Sequence, residues 1–277
     1  MHVRKVLDAI SVTNLRALQL AVARPGVVRE YFARCLREYD GLAGQGLPHK
    51  DPIAFLCEQG WGHVTPDERV HLPTQLSDGG GLGLHELVIL ATVTRLLKPK
   101  KVFEFGTYMG LSTSAFVLNS PPEATVISVD LPSDPQIGNI SNDEYAPAER
   151  QLIRERKVGF VLRELGLQNR YQQILCNSLD FDPTSAAGSV ELGFIDGGHA
   201  LKFVRNDTMK MARMMAERGL VFWHDYGGRG GLLALSGYLE KLSRSIPIYR
   251  LNGTALAWAS APALKQIVSK PEICDES

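Results

Sequence analysis

The stretch Lys101-Val-Phe-Glu-Phe-Gly-Thr-Tyr-Met-Gly110 decides the fold of this chain. Residues 101–105 form a short apolar run that is typical of a strand buried on both faces, and residues 106–110 have the composition of a tight turn. A helical segment follows at 112–119 and ends before Pro121-Pro122. Strand, glycine turn and helix together predict the first half of a parallel βαβ unit.

Four strand-like segments repeat this pattern further along the chain. They lie at 125–129, 172–176, 191–195 and 219–223, with helical segments at about 148–165 and 202–216 between them. Each connection is long enough for a crossover helix, and fully apolar strands are typical of a parallel sheet covered on both faces. We therefore predict an α/β fold with a doubly wound, Rossmann-like, mostly parallel sheet.

The end of the chain predicts a change of strand direction. After a helix at about 232–243, two strand segments at 246–251 and 254–259 are joined through Asn252-Gly253, a dipeptide that favours a type I′ hairpin. The predicted sheet thus has seven strands and ends in a C-terminal antiparallel hairpin.

The first part of the chain has a different character. Residues 11–42 carry apolar side chains near helical spacing, whereas 41–83 are rich in proline and glycine, which is typical of loops. We predict that residues 1–83 form an N-terminal helical arm with a lid or linker, and that 84–277 form the main domain.

Composition argues against several classes of partner. The chain has 277 residues, with 30 Lys plus Arg balanced by 30 Asp plus Glu, whereas proteins that neutralise many phosphates usually carry a basic surplus. Its longest apolar stretch is too short to cross a bilayer, which takes about 20 residues. We expect a cytoplasmic protein with no nucleic-acid or membrane partner, and with a possible homo-oligomer contact through the N-terminal helices.

A nucleoside site is indicated at the predicted edge of the sheet. Glu104, Gly106 and Gly110 form an ExGxxxG pattern, in which glycine lets the backbone turn tightly, although glycines at such a turn can also serve packing alone. Asp130 ends the second strand about 20 residues later, where an acid can accept hydrogen bonds from the two hydroxyls of a ribose. Tyr108 occupies the place of the middle glycine of the nicotinamide fingerprint, so that fingerprint is absent.

Four titratable residues follow the fourth and fifth strands. Asp196, His199, His224 and Asp225 are expected at the same carboxyl edge, because those strands are neighbours in a doubly wound sheet. Ligands bind at this edge in such folds, so the sequence predicts a polar, reactive crevice there.

These motifs together resemble class I S-adenosylmethionine-dependent methyltransferases. The chain is most similar to a bacterial small-molecule O-methyltransferase-like group that carries IDGxH after strand four and HDY after strand five, as in residues 195–199 and 224–226 here. The resemblance spans about 84–260. It implies S-adenosyl-L-methionine as the cofactor and methyl transfer to a hydroxyl of a small-molecule acceptor as the reaction.

The resemblance also implies roles for individual residues. Gly106 and Gly110 would pass close to the methionine part of the cofactor, Glu104 would reach its amino group through backbone or water, and Asp130 would hold the ribose. Near the adenine the family often has Asp-Ser where this chain has Asn177-Ser178, with Asp180 as a possible substitute. The full expected cofactor-binding set is Glu104, Gly106, Thr107, Tyr108, Gly110, Ser112, Asp130, Leu131, Asn177, Ser178 and Asp196.

Two mechanisms are open for the acceptor. Asp196 would sit beside the transferred methyl group, and either His224, which we favour, or His199 would take the proton of the hydroxyl. Alternatively Asp196, His224 and Asp225 would hold a divalent cation that acidifies the hydroxyl, with manganese or iron better suited to a histidine ligand than magnesium. A non-methylating, hydroxylase-like member of the same fold family and an interaction protein with a vestigial cofactor site are the competing functions.

Overall fold

A computed structural model describes residues 46–62, 68–73, 81–132, 157–227 and 233–269. The strands in these ranges are β1 His49–Lys50, β2 Lys101–Phe105, β3 Thr125–Asp130, β4 Gln172–Leu175, β5 Val190–Ile195, β6 Met215–Trp223, β7 Tyr249–Leu251 and β8 Ala257–Ser260. The α-helices are α1 Pro52–Glu58, α2 Leu84–Leu97, α3 Leu111–Asn119, α4 Phe160–Glu164, α5 Leu201–Met214, α6 Leu233–Leu242 and α7 Ala261–Ser269.

The strands form one eight-stranded sheet in the order β1-β7-β8-β6-β5-β2-β3-β4. The predicted parallel strands β2 to β6 are confirmed, because β2 pairs in parallel with both β3 and β5, β3 with β4, and β5 with β6. The chain winds outward from β2 to β4 and then crosses back to β5 and β6. Ligands bind at such a reversal of strand order, at the carboxyl ends of the strands.

Apolar side chains cover both faces of the sheet. One core cluster contains Phe194 and Phe222 with Leu87 of α2 and Phe116 of α3. The other contains residues of α5, α6 and α7 packed against strand residues such as Trp223. Burial on both faces explains the fully apolar strands, and it leaves the carboxyl edge as the place where polar residues gather.

The antiparallel C-terminal pair is confirmed, but its predicted turn is wrong. β8 runs antiparallel to both β6 and β7. Of the two central residues only Gly253 has a positive φ, 74°, whereas a type I′ turn needs both. Asn252 instead donates its backbone N–H to Lys50 of β1 at 2.9 Å, and the loop runs on to β8, which begins at Ala257 rather than at residue 254.

The predicted loop character of 41–83 is wrong for residues 49–58, which form β1 and α1. β1 adds an eighth strand by pairing in parallel with β7, and Asp51 caps α1 by accepting hydrogen bonds from the backbone of Ile53 and Ala54. Phe55 of this helix is fully buried. The compact unit that holds the sheet therefore begins at Leu47 rather than at the predicted boundary of 84.

Two further predictions concern helices. The part of the predicted helical arm in residues 1–45 lies outside the described residues. So does the part of the predicted 148–165 helix that precedes residue 157. Among the described helices, none is long and apolar enough to cross a membrane.

Candidate active site

The turn between β2 and α3 depends on glycine at both of its ends. Gly106 has φ 95°, and a Cβ added to it would overlap the backbone oxygen of Asp196 at the end of β5. Gly110 has φ 90°, and its Cβ would lie 2.6 Å from Leu162 of α4. Tyr108 between them is also left-handed, at φ 47°. These glycines therefore let the turn pack closely on its neighbours within the protein.

Glu104 lies fully buried in β2 and organises this turn from below. Its carboxylate accepts hydrogen bonds from the hydroxyls of Ser112, Thr113 and Ser128, the last at 2.6 Å. Burial raises the pKa of Glu104 to about 7, although the three hydroxyls oppose the shift. The predicted cofactor residues Glu104 and Ser112 are thus bonded to each other, and they tie β2 to α3 and β3.

Asp130 stands beside the same turn, as predicted from its position after β3. Its carboxylate accepts the backbone N–H of Tyr108 and that of Leu131, each at 2.6 Å. The neighbouring hydroxyl of Thr107 bonds to Ser128 at 2.6 Å and accepts from Gln173 at 2.8 Å. A chain of backbone and hydroxyl contacts therefore fixes the carboxylate next to the glycine turn.

The loop after β4 continues this edge. Asn177 is buried, and its side-chain oxygen accepts the backbone N–H of Leu179 at 3.0 Å. Leu179 packs with Leu131 and Phe203 in a small apolar cluster. Along the edge the carboxyl ends therefore follow one another as Asp196 of β5, the β2 turn, Asp130 of β3 and the Asn177 loop of β4.

All four predicted reactive residues meet at the ends of β5 and β6. His199 donates through Nε2 to the carboxylate of Asp225 at 2.9 Å. One ligand atom from each of Asp196, His199 and Asp225 lies within 4.8 Å of the other two. Asp196, His199 and Asp225 therefore form a candidate cation site, and Nδ1 of the predicted ligand His224 also lies 3.1 Å from Asp196 and 3.5 Å from Asp225.

His224 is held between carboxylates on both sides of its ring. Nδ1 donates to Asp196 at 3.1 Å, and Nε2 donates to Glu86 at 3.3 Å. Burial alone would lower the pKa of His224, but the charges of Asp196 and Asp225 raise it well above its usual value. For Asp225 the directions are opposite: burial would raise its pKa, but the charge of His224 outweighs burial and holds the pKa below its ordinary value. An imidazolium in this position has no lone pair for a substrate proton.

Glu86 also belongs to this cluster, although it is not among the predicted site residues. Its carboxylate accepts the backbone N–H groups of Gly83 and Ala255, each at 2.7 Å, in addition to the bond from His224. Burial would raise the pKa of Glu86, but the hydrogen bond and charge of His224 lower it. A glutamate in the first turn of α2 after a glycine N-cap matches a capping box, which indicates a helix start but not the distant partners.

Comparison with known proteins shows what these elements are similar to. Residues 103–226 match a family model described as a methyltransferase domain. No curated protein sequence gives a significant match.

Solved structures give more distant likenesses. The chain is 17% identical to the cofactor-bound protein Rv0187 from MTB, with a TM-score of 0.49 and coverage of 69% of this chain and 84% of that one. It is 17% identical to the SAH-bound methyltransferase of Podospora anserina, with a TM-score of 0.46 and coverage of 83% and 94%. A methyltransferase from Geobacter sulfurreducens gives 15% identity, a TM-score of 0.43 and coverage of 82% and 94%.

The family model matches the segment that carries the glycine turn, Asp130 and the Asp196–Asp225 cluster. Residues 103–226 are therefore similar to methyltransferase domains.

Proposed function

We propose that this protein transfers the methyl group of S-adenosylmethionine to a hydroxyl of a small-molecule acceptor. The observation that carries the proposal is the meeting of Asp196, His199 and Asp225 at the sheet edge, next to the β2 turn. Two carboxylates and an imidazole form a site that can both orient a hydroxyl and accept its proton. The balanced charge of the chain favours a small molecule over a nucleic acid as the acceptor.

The residues along the edge fit an extended cofactor. The Asp130 carboxylate suits the two hydroxyls of the ribose, and its fixed place beside the glycine turn supports that role. The turn and Asp196 lie on one side of Asp130 and the Asn177 loop on the other. We therefore place the methionine part near Gly106 and Asp196, and the adenine at the Asn177 loop.

The reaction requires a proton to leave the acceptor. The acceptor oxygen attacks the methyl carbon, the carbon–sulfur bond breaks, and its electron pair stays on sulfur, which gives S-adenosylhomocysteine. We assign the base to His199, whose ring is oriented by Asp225. The sequence favours His224 as the base, but the contacts of both its nitrogens with carboxylates support a positioning role for it instead.

A divalent cation is the alternative way to activate the hydroxyl at the same place. The ligand atoms of Asp196, His199 and Asp225 are close enough to share one ion, and one imidazole with two carboxylates suits Mn²⁺ or Fe²⁺. Such an ion would bind the acceptor oxygen and lower the pKa of its hydroxyl. The three side chains would then act as ligands, and the proton would pass to solvent or to a nearby carboxylate.

The first experiment is calorimetric titration with S-adenosylhomocysteine, with NAD as the control ligand. Selective binding of the former is expected. Transfer of a labelled methyl group is then measured to matched small acceptors that differ only in carrying a hydroxyl, an amine or a thiol. Product from the hydroxyl series supports the proposal, and product from only the amine or thiol series contradicts it.

Chelation separates the two mechanisms. If exhaustive treatment with EDTA abolishes transfer and Mn²⁺ restores it, the cation route is supported. Transfer that survives chelation but falls by about 10²-fold or more in His199→Ala supports His199 as the base. Full activity of His199→Ala without metal would contradict both assignments.

A further inference from the structure

The loop after β4 is anchored by side chains of α5. Lys210 donates through Nζ to the backbone oxygens of Ser178 and Leu179, at 2.6 and 2.8 Å. Asn206 donates through its side-chain amide to the same oxygen of Ser178 at 3.0 Å. Residues 206 and 210 lie one helical turn apart and share a face of the helix. Two consecutive carbonyl groups of the loop are thus fixed by a single helical turn.

Asn206 is itself held in place. Its amide also donates to the carboxylate of Asp207 at 2.8 Å, and Asp207 is almost completely buried. An amide bonded to both a carbonyl and a carboxylate has one preferred orientation, because both its protons are used. The contact to Ser178 is therefore part of a rigid unit rather than a chance surface bond.

The anchored loop borders the place we assign to the nucleoside. The backbone N–H of Cys176 donates to the backbone oxygen of Asp130 at 2.9 Å, so the loop begins directly beside the proposed ribose residue. Leu179 packs against Leu131 and Phe203, and Phe203 belongs to α5 as well. The helix therefore sets both the polar and the apolar contacts of the loop.

We propose that Lys210 and Asn206 are positioning residues for adenine recognition: by fixing the carbonyls of Ser178 and Leu179 they orient the Asn177-Ser178 segment toward the edge of the base. The inference rests on the proposed placement of adenine at this loop. Neither side chain is proposed to touch the cofactor. Hydrogen bonds to a base edge require donors and acceptors at set positions, so a loop that shifts loses discrimination before it loses all binding.

The test uses Lys210→Met, which keeps the length and apolar stem of the side chain and removes its donors. Arg213→Met is the matched control, because Arg213 is an exposed cation on the same helix. Calorimetry gives the Kd of each protein for S-adenosylhomocysteine and for S-inosylhomocysteine, in which the donor and acceptor pattern of the base edge is reversed. We expect wild type and Arg213→Met to prefer the adenosyl ligand by about tenfold.

Lys210→Met is expected to reduce that preference to about twofold, mainly by weakening the adenosyl ligand. Asn206→Ala should also reduce the preference for the adenosyl ligand, by a smaller factor. If Lys210→Met does not fold, the Asn206→Ala variant serves as the test. Lys210→Arg retains donors at this place and should recover part of the preference.

The remaining outcomes overturn the inference. An unchanged preference in Lys210→Met shows that the loop does not need the anchor. Equal weakening of both ligands shows a purely structural role. A wild type that binds both ligands equally removes adenine from this loop and overturns the inference, while methyl transfer can persist. Binding of neither ligand by folded wild type contradicts the proposed function itself.

Discussion

The two halves of the carboxyl edge hold their carboxylates in opposite ways. In the half built on β2, β3 and β4, Glu104 accepts from hydroxyls and Asp130 from backbone N–H groups. In the half built on β5 and β6, Asp196 and Asp225 face imidazole rings, and Glu86 backs one of those rings. In the first half, the carboxylates are held by neutral hydroxyl and backbone N–H donors that lie close to each of them. The second depends on opposite charges brought together from distant parts of the chain.

The contrast suits two different tasks. A cofactor that is always the same benefits from a frame whose shape follows from the backbone, and neutral donors hold a carboxylate without adding a mobile charge. A site that must take up a proton or a cation needs groups whose charge can respond to a ligand. The predictions below test whether the two halves differ in this way, from the largest expected effect to the smallest.

Gly106→Val should have the largest effect. The new side chain overlaps the backbone oxygen of Asp196 and also forces a β-branched residue into φ 95°, so we expect a loss of more than about 4 kcal/mol in the free energy of unfolding. Urea denaturation measures it. Gly188→Ala is the control, because Gly188 has φ 64° but no atom within 4 Å of an added Cβ, and it should cost only about 1 kcal/mol. Equal costs for the two variants would contradict the close contact between the halves.

Glu104→Gln should change how stability depends on pH. The pKa of Glu104 is about 7 in the folded protein, above its ordinary value of 4.5, so the folded state binds this proton more tightly than the unfolded state does. The resulting stability is fully present below pH 4.5 and is lost as the pH rises through 7, by on the order of 3 kcal/mol.

The measurement is urea unfolding of wild type and Glu104→Gln between pH 4.5 and 8. The variant lacks this proton, so the difference between the two proteins isolates Glu104. Asp207, whose pKa burial raises to about 6, contributes in the same direction in both and cancels. If the difference in unfolding free energy between the two proteins did not change with pH, Glu104 would already be ionised at pH 4.5, and the prediction would be wrong.

Glu86→Gln should cost about 2 kcal/mol in unfolding free energy. Glutamine keeps the size of the side chain but loses the charge opposite His224, and its amide nitrogen faces the N–H of Gly83 or of Ala255. Glu58→Gln is the matched control, because Glu58 forms a half-exposed pair with Lys50 at 2.7 Å and should cost less than about 1 kcal/mol. If both substitutions cost the same in urea denaturation, the charged half does not depend on Glu86.

The same contrast explains how much of the molecule could be predicted from sequence. The places of Asp130 and Asp196 follow from local strand patterns, because an acid that ends a parallel strand must lie at the carboxyl edge. The Glu86–His224 contact joins residues 138 positions apart, and no periodicity reports it. β1 is only two residues long, which is too short for a recognisable strand pattern in the sequence. It is a strand because it pairs with β7, far along the chain.

The choice between the two histidines shows a second limit. Both follow the predicted strands, and sequence spacing does not tell which ring faces inward. Asp225 has a left-handed backbone at φ 64°, and its carboxylate accepts from His199, while Glu86 and Asp196 enclose His224. Likewise Asn252-Gly253 favours a tight turn locally, but hydrogen bonding of Asn252 to β1 selects a longer loop. In each case a tertiary contact overrides the local preference.

Thr107→Val should have the smallest effect, about 1 kcal/mol of unfolding free energy. The substitution preserves the shape of the side chain and removes a hydroxyl that bonds to Ser128 and Gln173, so two neutral partners lose one contact each. Thr125→Val, at the exposed start of β3, is the control and should be nearly neutral. Because Ser128 still bonds to Glu104, the neutral network can redistribute its hydrogen bonds. By contrast, Glu86 is the carboxylate that the described residues bring to Nε2 of His224, and Glu86→Gln removes its charge. A cost for Thr107→Val that equals or exceeds that of Glu86→Gln would reverse this order and place the more fragile network in the half built on β2, β3 and β4.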